Sequence, residues 1–453
     1  IGNNSVIKMA ENFKIIENYF LFLKGTEDNT LNNISIYNIG IETGDVVRNF
    51  GNAIQLRCDY TNNLEIEGCN FIATDPTGNK NSNLTNIWLY QGNESVMINN
   101  NNFCNLSNSG VGGNIWISQY DNGLTQNITI INNYIEKSSH DESIAAWSGE
   151  IKNIYVDNNE FNIHEENVDN PSDVIFNFGN DTEETDFYNL KFSNNIVNIQ
   201  TKRMIFNFAS NSDNSEEFIV ENNQINAVFV QYSGMIYLFK NESDFNNVTI
   251  RNNNINSSSL YSEKEYFNIV TGLATVSNNN IEINNIIYCL SYGVINNWID
   301  NNITINGNIS YLVQNSKGNY ENNKIQINGE LLAVFILSST EIIDGDLNIK
   351  DNYINIVDNN IWSTNNKSFF CVYDTSLNDS KVFISNNTIE ALNQTNIQRL
   401  ILLQSVKDEN IQKIYINSNN FGIFKNISFF SNTLLHQVIY NNDRIITTNT
   451  TLE

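Results

Sequence analysis

The chain has 453 residues, with 24 basic and 50 acidic side chains giving a formal charge of −26. That balance excludes nucleic acid as the expected partner and opposes docking on an anionic membrane surface. The longest purely apolar run, residues 331–337, is too short to span a bilayer, and five scattered cysteines make neither a disulfide framework nor a zinc site.

In chain order, residues 1–19 are expected to cap the fold, with an amphipathic helix over Lys8–Tyr19, although Phe20–Leu23 already has the character of a strand. Residues 20–445 then repeat one frame: apolar, any, Asn or Asp, Asn, any, apolar. Clear copies are Val156–Phe161, Phe192–Val197, Val220–Ile225, Ile250–Ile255, Val276–Ile281, Ile349–Ile354 and Ile384–Ile389. Looser copies begin at Ile36, Ile66, Ile98, Ile130, Trp298, Tyr320, Ile416 and Tyr440. Successive copies start 22 to 36 residues apart, the period of a solenoid. Residues 446–453 are expected to form a C-terminal tail.

Within each copy apolar residues alternate with polar ones on both sides of the asparagines, as at Leu190, Phe192, Val197 and Ile199, and a period of two means strand. Each copy therefore reads as strand, corner, strand. Asn tolerates the left-handed backbone, and its amide can bond to the same residue one coil away. The pairs Asn158/Asn159, Asn194/Asn195, Asn222/Asn223, Asn252/Asn253, Asn278/Asn279, Asn322/Asn323 and Asn386/Asn387 are expected to stack into an asparagine ladder.

A second strand family lies between the corners: Ile87-Trp-Leu-Tyr90, Ile115-Trp-Ile-Ser118, Ile175-Phe-Asn-Phe178, Ile205-Phe-Asn-Phe208, Ile236-Tyr-Leu-Phe239 and Ile287-Tyr-Cys-Leu290, with further members at Val334 and Ile401. Three strands and three corners per coil resemble the right-handed parallel β-helix, or pectate lyase-like, superfamily. The resemblance covers residues 31–445. It implies an all-β, single-stranded solenoid of about 15 coils, a rod on the order of 70 Å long at one strand spacing per coil. The superfamily includes polysaccharide lyases and hydrolases as well as tailspikes and adhesins, so it leaves the activity open.

The catalytic pattern of the polysaccharide-cleaving members, facing carboxylates or a cation-assisted base, is not matched. Asp374 is the one carboxylate near the end of a second-family strand, and the polygalacturonase-type motifs do not occur. His140 and His164 precede acidic pairs in loops, where a solvated turn residue is the expected state; His436 reads as structural. A stacked acidic strip of Asp181, Glu183, Asp213, Glu216, Glu242 and Asp244 is a calcium candidate without a recognised calcium motif.

Of eighteen Asn-x-Ser/Thr sequons, Asn83, Asn93, Asn180, Asn241, Asn256 and Asn378 fall in loops suited to glycosylation. One bridge among Cys58, Cys69 and Cys104 is allowed by their positions in neighbouring coils, with the pair left open, and Cys289 reads as a buried thiol. The chain begins at Ile1 without a signal peptide, as a processed chain or a fragment would, and an extracellular or cell-surface setting is expected.

In the second strand family one column runs through isoleucines and the adjacent one through Trp88, Trp116, Phe176, Phe206, Tyr237, Tyr288 and Tyr311, joined by Tyr90 and Trp147. Two adjacent columns cannot both face the core, so whichever one faces out is expected to form an outer stripe that contacts something, with the aromatic column as the candidate. The expected function is a self-assembling structural solenoid, a filament, sheath or surface-layer subunit that pairs with itself. The alternatives are a glycan-binding adhesin and, behind it, a polysaccharide lyase or hydrolase. No cofactor is expected.

Overall fold

The computed structural model describes residues 5–8, 19–43, 52–75, 83–107, 113–120, 124–137, 142–164, 174–179, 185–202, 204–209, 217–230, 235–241, 248–259, 266–285, 287–292, 296–314, 317–329, 331–338, 345–357, 368–373, 381–391, 399–404, 414–424, 428–430, 439–441 and 444–447. Among these residues every regular element is a β-strand, and the strands fall into three sheets visited in strict rotation. Leu124–Ile131 lies in the third sheet, Tyr134–Lys137 in the first, Ile144–Trp147 in the second, and Gly149–Asp157 returns to the third one coil on. Each strand pairs in parallel with its counterpart in the next coil. The chain is a parallel β-solenoid.

It parts into two compact units, Ile1–Tyr232 with Leu238–Thr249, and Ser233–Tyr237 with Ile250–Glu453. In the first unit the first sheet runs from Ser5–Lys8 to Gln224–Phe229, eight strands; in the second it runs from Asn254–Ser259 to Arg444–Thr447, again eight. The expected helix over Lys8–Tyr19 is overturned at both ends: Ser5–Lys8 pairs with Ile39–Thr43, and Tyr19–Lys24 opens the second sheet. The remainder of that segment, 9–18, lies outside the described residues.

The recurring corner joins the third sheet to the first, and its two asparagines do different work. The first of each pair has a left-handed backbone, with φ of 52° at Asn158, 55° at Asn194, 57° at Asn222 and Asn252, 54° at Asn278, and 55° at Asn322 and Asn386. Those first residues are all exposed, whereas Asn159, Asn195, Asn223, Asn253, Asn279, Asn323 and Asn387 are 3% exposed or less. The buried ladder therefore consists of the second residue of each pair. It also takes in Asn352, which follows Asp351 in a clear copy, and Asn101, Asn133, Asn301 and Asn419, which lie in looser copies of the frame.

An interior ladder amide such as Asn133 is fully used. In the first unit Asn133 donates its backbone N–H and one Nδ2 hydrogen to Asn159 Oδ1, both at 2.9 Å, and the other Nδ2 hydrogen to the Ile98 carbonyl. Its own Oδ1 accepts the same pair of bonds from Asn101. A buried polar group costs little only when its bonds are made, and here two donors and two acceptor sites are matched by the coil spacing. Cys69 takes the ladder position one coil before Asn101, donating its N–H to Asn101 Oδ1 at 2.8 Å.

Inside the ladder, side chains stack coil on coil. Ile66, Ile98, Ile130, Val156, Phe192 and Val220 form one in-register column, all 1% exposed or less. Burying a side chain of this kind contributes about 1.5–3 kcal/mol, repeated at every coil.

A second left-handed column, unforeseen in the sequence, crosses the third sheet of the first unit at Asn33, Asn63, Ser95, Asn127, Asn153 and Asn189, with φ between 54° and 58°. These residues face outward and stack in their own right: Asn63 donates to Asn33 at 2.7 Å and Asn153 to Asn127 at 2.8 Å.

Candidate functional site

The aromatic column proves to be two different structures. Strand Ile115–Ser118 pairs Ile115 with Ile87 and Trp116 with Trp88, so the isoleucines point inward and the tryptophans outward. Between Ile144–Trp147 and Val174–Phe178 the register moves by one residue: Ile144 lies opposite Phe176, and Ala145 opposite Asn177. A one-residue shift exchanges the two faces of every later strand. Phe176 and Phe206 are therefore core residues with 0% exposure, correcting the expectation of a continuous outer stripe. Phe176 packs against Phe161, Phe192 and Phe206 at centroid distances of 4.9, 4.8 and 4.9 Å.

Outward, the column continues as Asn177 and Asn207, with Asn207 donating to Asn177 at 3.0 Å and Asn177 to Glu142 at 3.0 Å. In the second unit Tyr311 pairs with Cys289, not with Tyr288 as expected. Tyr237 and Tyr311 are half-buried, and the Tyr288 side chain lies outside the described set.

What remains of the stripe is a compact aromatic platform on the second sheet of the first unit. Its first column is Phe22, Arg57, Trp88 and Trp116 in register. The second includes Ser118 opposite Trp147, with Tyr90 and Tyr120 stacked nearby at 5.0 Å and 29°. The Arg57 guanidinium lies 3.8 Å from the Tyr90 ring centroid and 5.4 Å from that of Trp88. Asp59 fixes it through bonds of 2.8 and 2.9 Å from Nε and Nη2. The Phe22 ring lies 5.2 Å away as well, so Arg57 stacks as a cation among three rings while its charge is neutralised in place.

The small Ser118 makes room for this packing. Its hydroxyl accepts from Trp88 Nε1 at 2.9 Å and donates to the Tyr90 carbonyl at 2.9 Å. Trp116 stands edge-on to Trp88 and Trp147, at 5.9 and 5.1 Å, and is only 7% exposed. Trp147 Nε1 donates to Tyr120 Oη at 2.7 Å, leaving Tyr120 46% exposed at the open end of the stack. Trp116 Nε1 is buried without a hydrogen-bond partner among the described residues, and Gly113 lies against it where any Cβ would collide.

The other sequence candidates separate. Asn256 is exposed on strand Asn254–Ser259, as a glycan acceptor must be. Asn93 is not: it has 0% exposure, donates Nδ2 to the Cys58 and Gln91 carbonyls at 3.1 Å each, and accepts from Thr61 at 2.7 Å. Its amide is a structural tie between coils, which corrects its assignment as a glycan site. Asn83 and Asn241 begin and end strands, with side chains outside the described set, and Asn180 and Asn378 lie outside the described residues. So do Asp181, Glu183, Asp213, Glu216, Glu242, Asp244, Asp374, His140 and His436. His164 is exposed, and its backbone N–H donates to the Lys137 carbonyl.

Cys58, Cys69, Cys104 and Cys289 are free thiols, so the bridge among the first three does not form. Burial pushes the Cys58 thiol far up and that of Cys289 up to about 12. Among the described residues no group of three or more His, Cys, Asp or Glu is placed to hold a metal ion, and no helix is long and apolar enough to cross a membrane. Comparison with family models, curated proteins and solved structures finds no match.

Proposed function

We propose that the chain is a non-catalytic, cell-surface or extracellular β-solenoid of the right-handed, pectate lyase-like kind that holds a glycan on the Trp88–Tyr90–Tyr120–Trp147 platform. The supporting observation is the exposed Tyr120 ring, stacked on Tyr90 and fixed through its hydroxyl by Trp147. A rigid aromatic face with polar tips suits a sugar, whose C–H face packs on the ring while its hydroxyls meet the rim.

Size favours this reading over lateral assembly. From Phe22 to Ala145 the first column advances four coils, about 19 Å, and the platform is two outward columns wide. That footprint is a few hundred Å², against roughly 800 Å² per partner in a stable interface. Self-association is the second reading, favoured by the apolar character of the same patch. Both are tested by offering neutral oligosaccharides to the wild type and to Tyr120→Ala while following sedimentation. Sugar-dependent quenching of tryptophan fluorescence, lost in the variant, supports the glycan reading. No binding to any sugar, with polymer that Tyr120→Asp disperses, supports assembly instead.

A further inference from the structure

The outer face of the first sheet in the second unit carries a row of exposed amides that the platform does not involve. Asn328 donates Nδ2 to Asn306 Oδ1 at 2.6 Å, and Asn306 donates to Asn284 Oδ1 at 2.7 Å and to Glu282 Oε1 at 3.0 Å. Asn306 follows strand Asn302–Ile305 and Asn328 follows Lys324–Ile327, so both stand at the bend where the chain leaves the sheet. Each is followed by glycine, Gly307 and Gly329.

The glycines are not incidental. A Cβ on Gly329 would collide with the Gly307 carbonyl of the neighbouring coil, so close stacking demands glycine at this bend. Asparagine followed by glycine is also the pair in which the next backbone nitrogen reaches the side-chain carbonyl with least obstruction. Among the described residues the Gly307 N–H makes no hydrogen bond that would hold it back, while Asn306 Oδ1, accepting from Asn328, has its carbonyl polarised for attack.

We propose that Asn306 is a site of spontaneous covalent modification by deamidation, with Asn328 as a second. The Gly307 nitrogen loses its proton and bonds to Asn306 Cγ; the Cγ–Nδ2 bond breaks and ammonia leaves, closing a five-membered imide. Water then opens either imide carbonyl, giving aspartate or its backbone-lengthened isomer. The product places a carboxylate where Nδ2 now meets Glu282 and Asn284, exchanging two donor bonds for repulsion between like charges. Conversion therefore weakens this bend of the second unit, and its rate rises with pH because the attacking nitrogen must be deprotonated.

The test is incubation of the full chain in mildly alkaline buffer followed by peptide mass mapping. Conversion at Asn306 is expected several-fold ahead of Asn302 and Asn280, which are equally exposed and equally stacked but precede isoleucine. Asn306→Gln, which keeps an amide but cannot close the five-membered ring, should stay unmodified at that position while Asn328 still converts. Asn306→Asp should unfold earlier than wild type, with the difference reduced by added salt. Conversion of Asn302 and Asn280 at the rate of Asn306, or an Asn306 that keeps its amide while they convert, overturns the proposal; an Asn306→Asp variant as stable as wild type overturns the weakening.

Discussion

Asn301→Ala isolates the contribution of one ladder amide. The Asn301 side chain takes part in four hydrogen bonds: Nδ2 donates to the Val276 carbonyl at 2.8 Å and to Asn323 Oδ1 at 2.9 Å, and Oδ1 accepts from the backbone and side-chain nitrogens of Asn279, both at 3.0 Å. Truncation strips a donor from Val276 and leaves two Asn279 donors without their acceptor, while Asn323 Oδ1 keeps the bond from the Asn301 backbone. Three buried groups at about 1–3 kcal/mol each set an upper figure near 9 kcal/mol. Water entering the vacated space restores part of it, so about 3–5 kcal/mol is expected. Urea unfolding followed by the fluorescence of Trp298, 2% exposed and two residues before the corner, reads the change. Asn302→Ala is the control: its amide also stacks, on Asn280 at 2.8 Å, but in solvent, and should cost no more than about 0.5 kcal/mol. Equal shifts for the two variants would refute the claim that burial, not stacking as such, gives the ladder its strength.

At the corner, Asn194 has φ of 55°; Asn194→Gly should be nearly neutral and Asn194→Ala should cost about 1–2 kcal/mol in thermal unfolding. Phe206→Ala should destabilise by about 3–5 kcal/mol and leave ligand or self-association at the platform unchanged, while Tyr120→Ala should do the reverse. Cys289 is held up to about 12 by burial. Its folded thiolate becomes populated only as pH approaches that value, so alkylation in mildly alkaline buffer should spare Cys289 and Cys58 until denaturant is added, with half-buried Cys104 labelled first. Secreted from a eukaryotic host, the chain should carry a glycan at Asn256 and none at Asn93, as read by mass shift on glycosidase treatment.

The solenoid was legible in the sequence because its corner needs a residue that accepts a left-handed backbone next to one that can bond across coils, and Asn supplies both in turn. The partition of labour within each pair was not legible: Asn158 and Asn159 are identical letters, and only burial distinguishes the one with φ of 52° from the one that is 2% exposed. The stripe failed for a related reason. When both faces of a strand are apolar, period two no longer says which face is inside, and aligning Ile175 with Ile144 looked natural. Asn177 and Asn207 carried the corrective signal, since an amide outside the ladder prefers the solvent face and places its flanking phenylalanines in the core. The mid-strand column from Asn33 to Asn189 had a signal too, an asparagine or serine one residue before each inward apolar position at Ile34, Leu64, Val96, Ile128, Ile154 and Leu190.

Residue-resolved hydrogen exchange reads the asparagine ladder coil by coil. In the folded chain the backbone N–H groups of Asn133, Asn159, Asn195, Asn279, Asn301, Asn323, Asn352 and Asn387 each bond to an asparagine Oδ1 one coil away. They should exchange as slowly as the strands beside them although they sit at corners. Exchange of these amides at the rate of free loops, coil after coil, would contradict the ladder and the fold built on it.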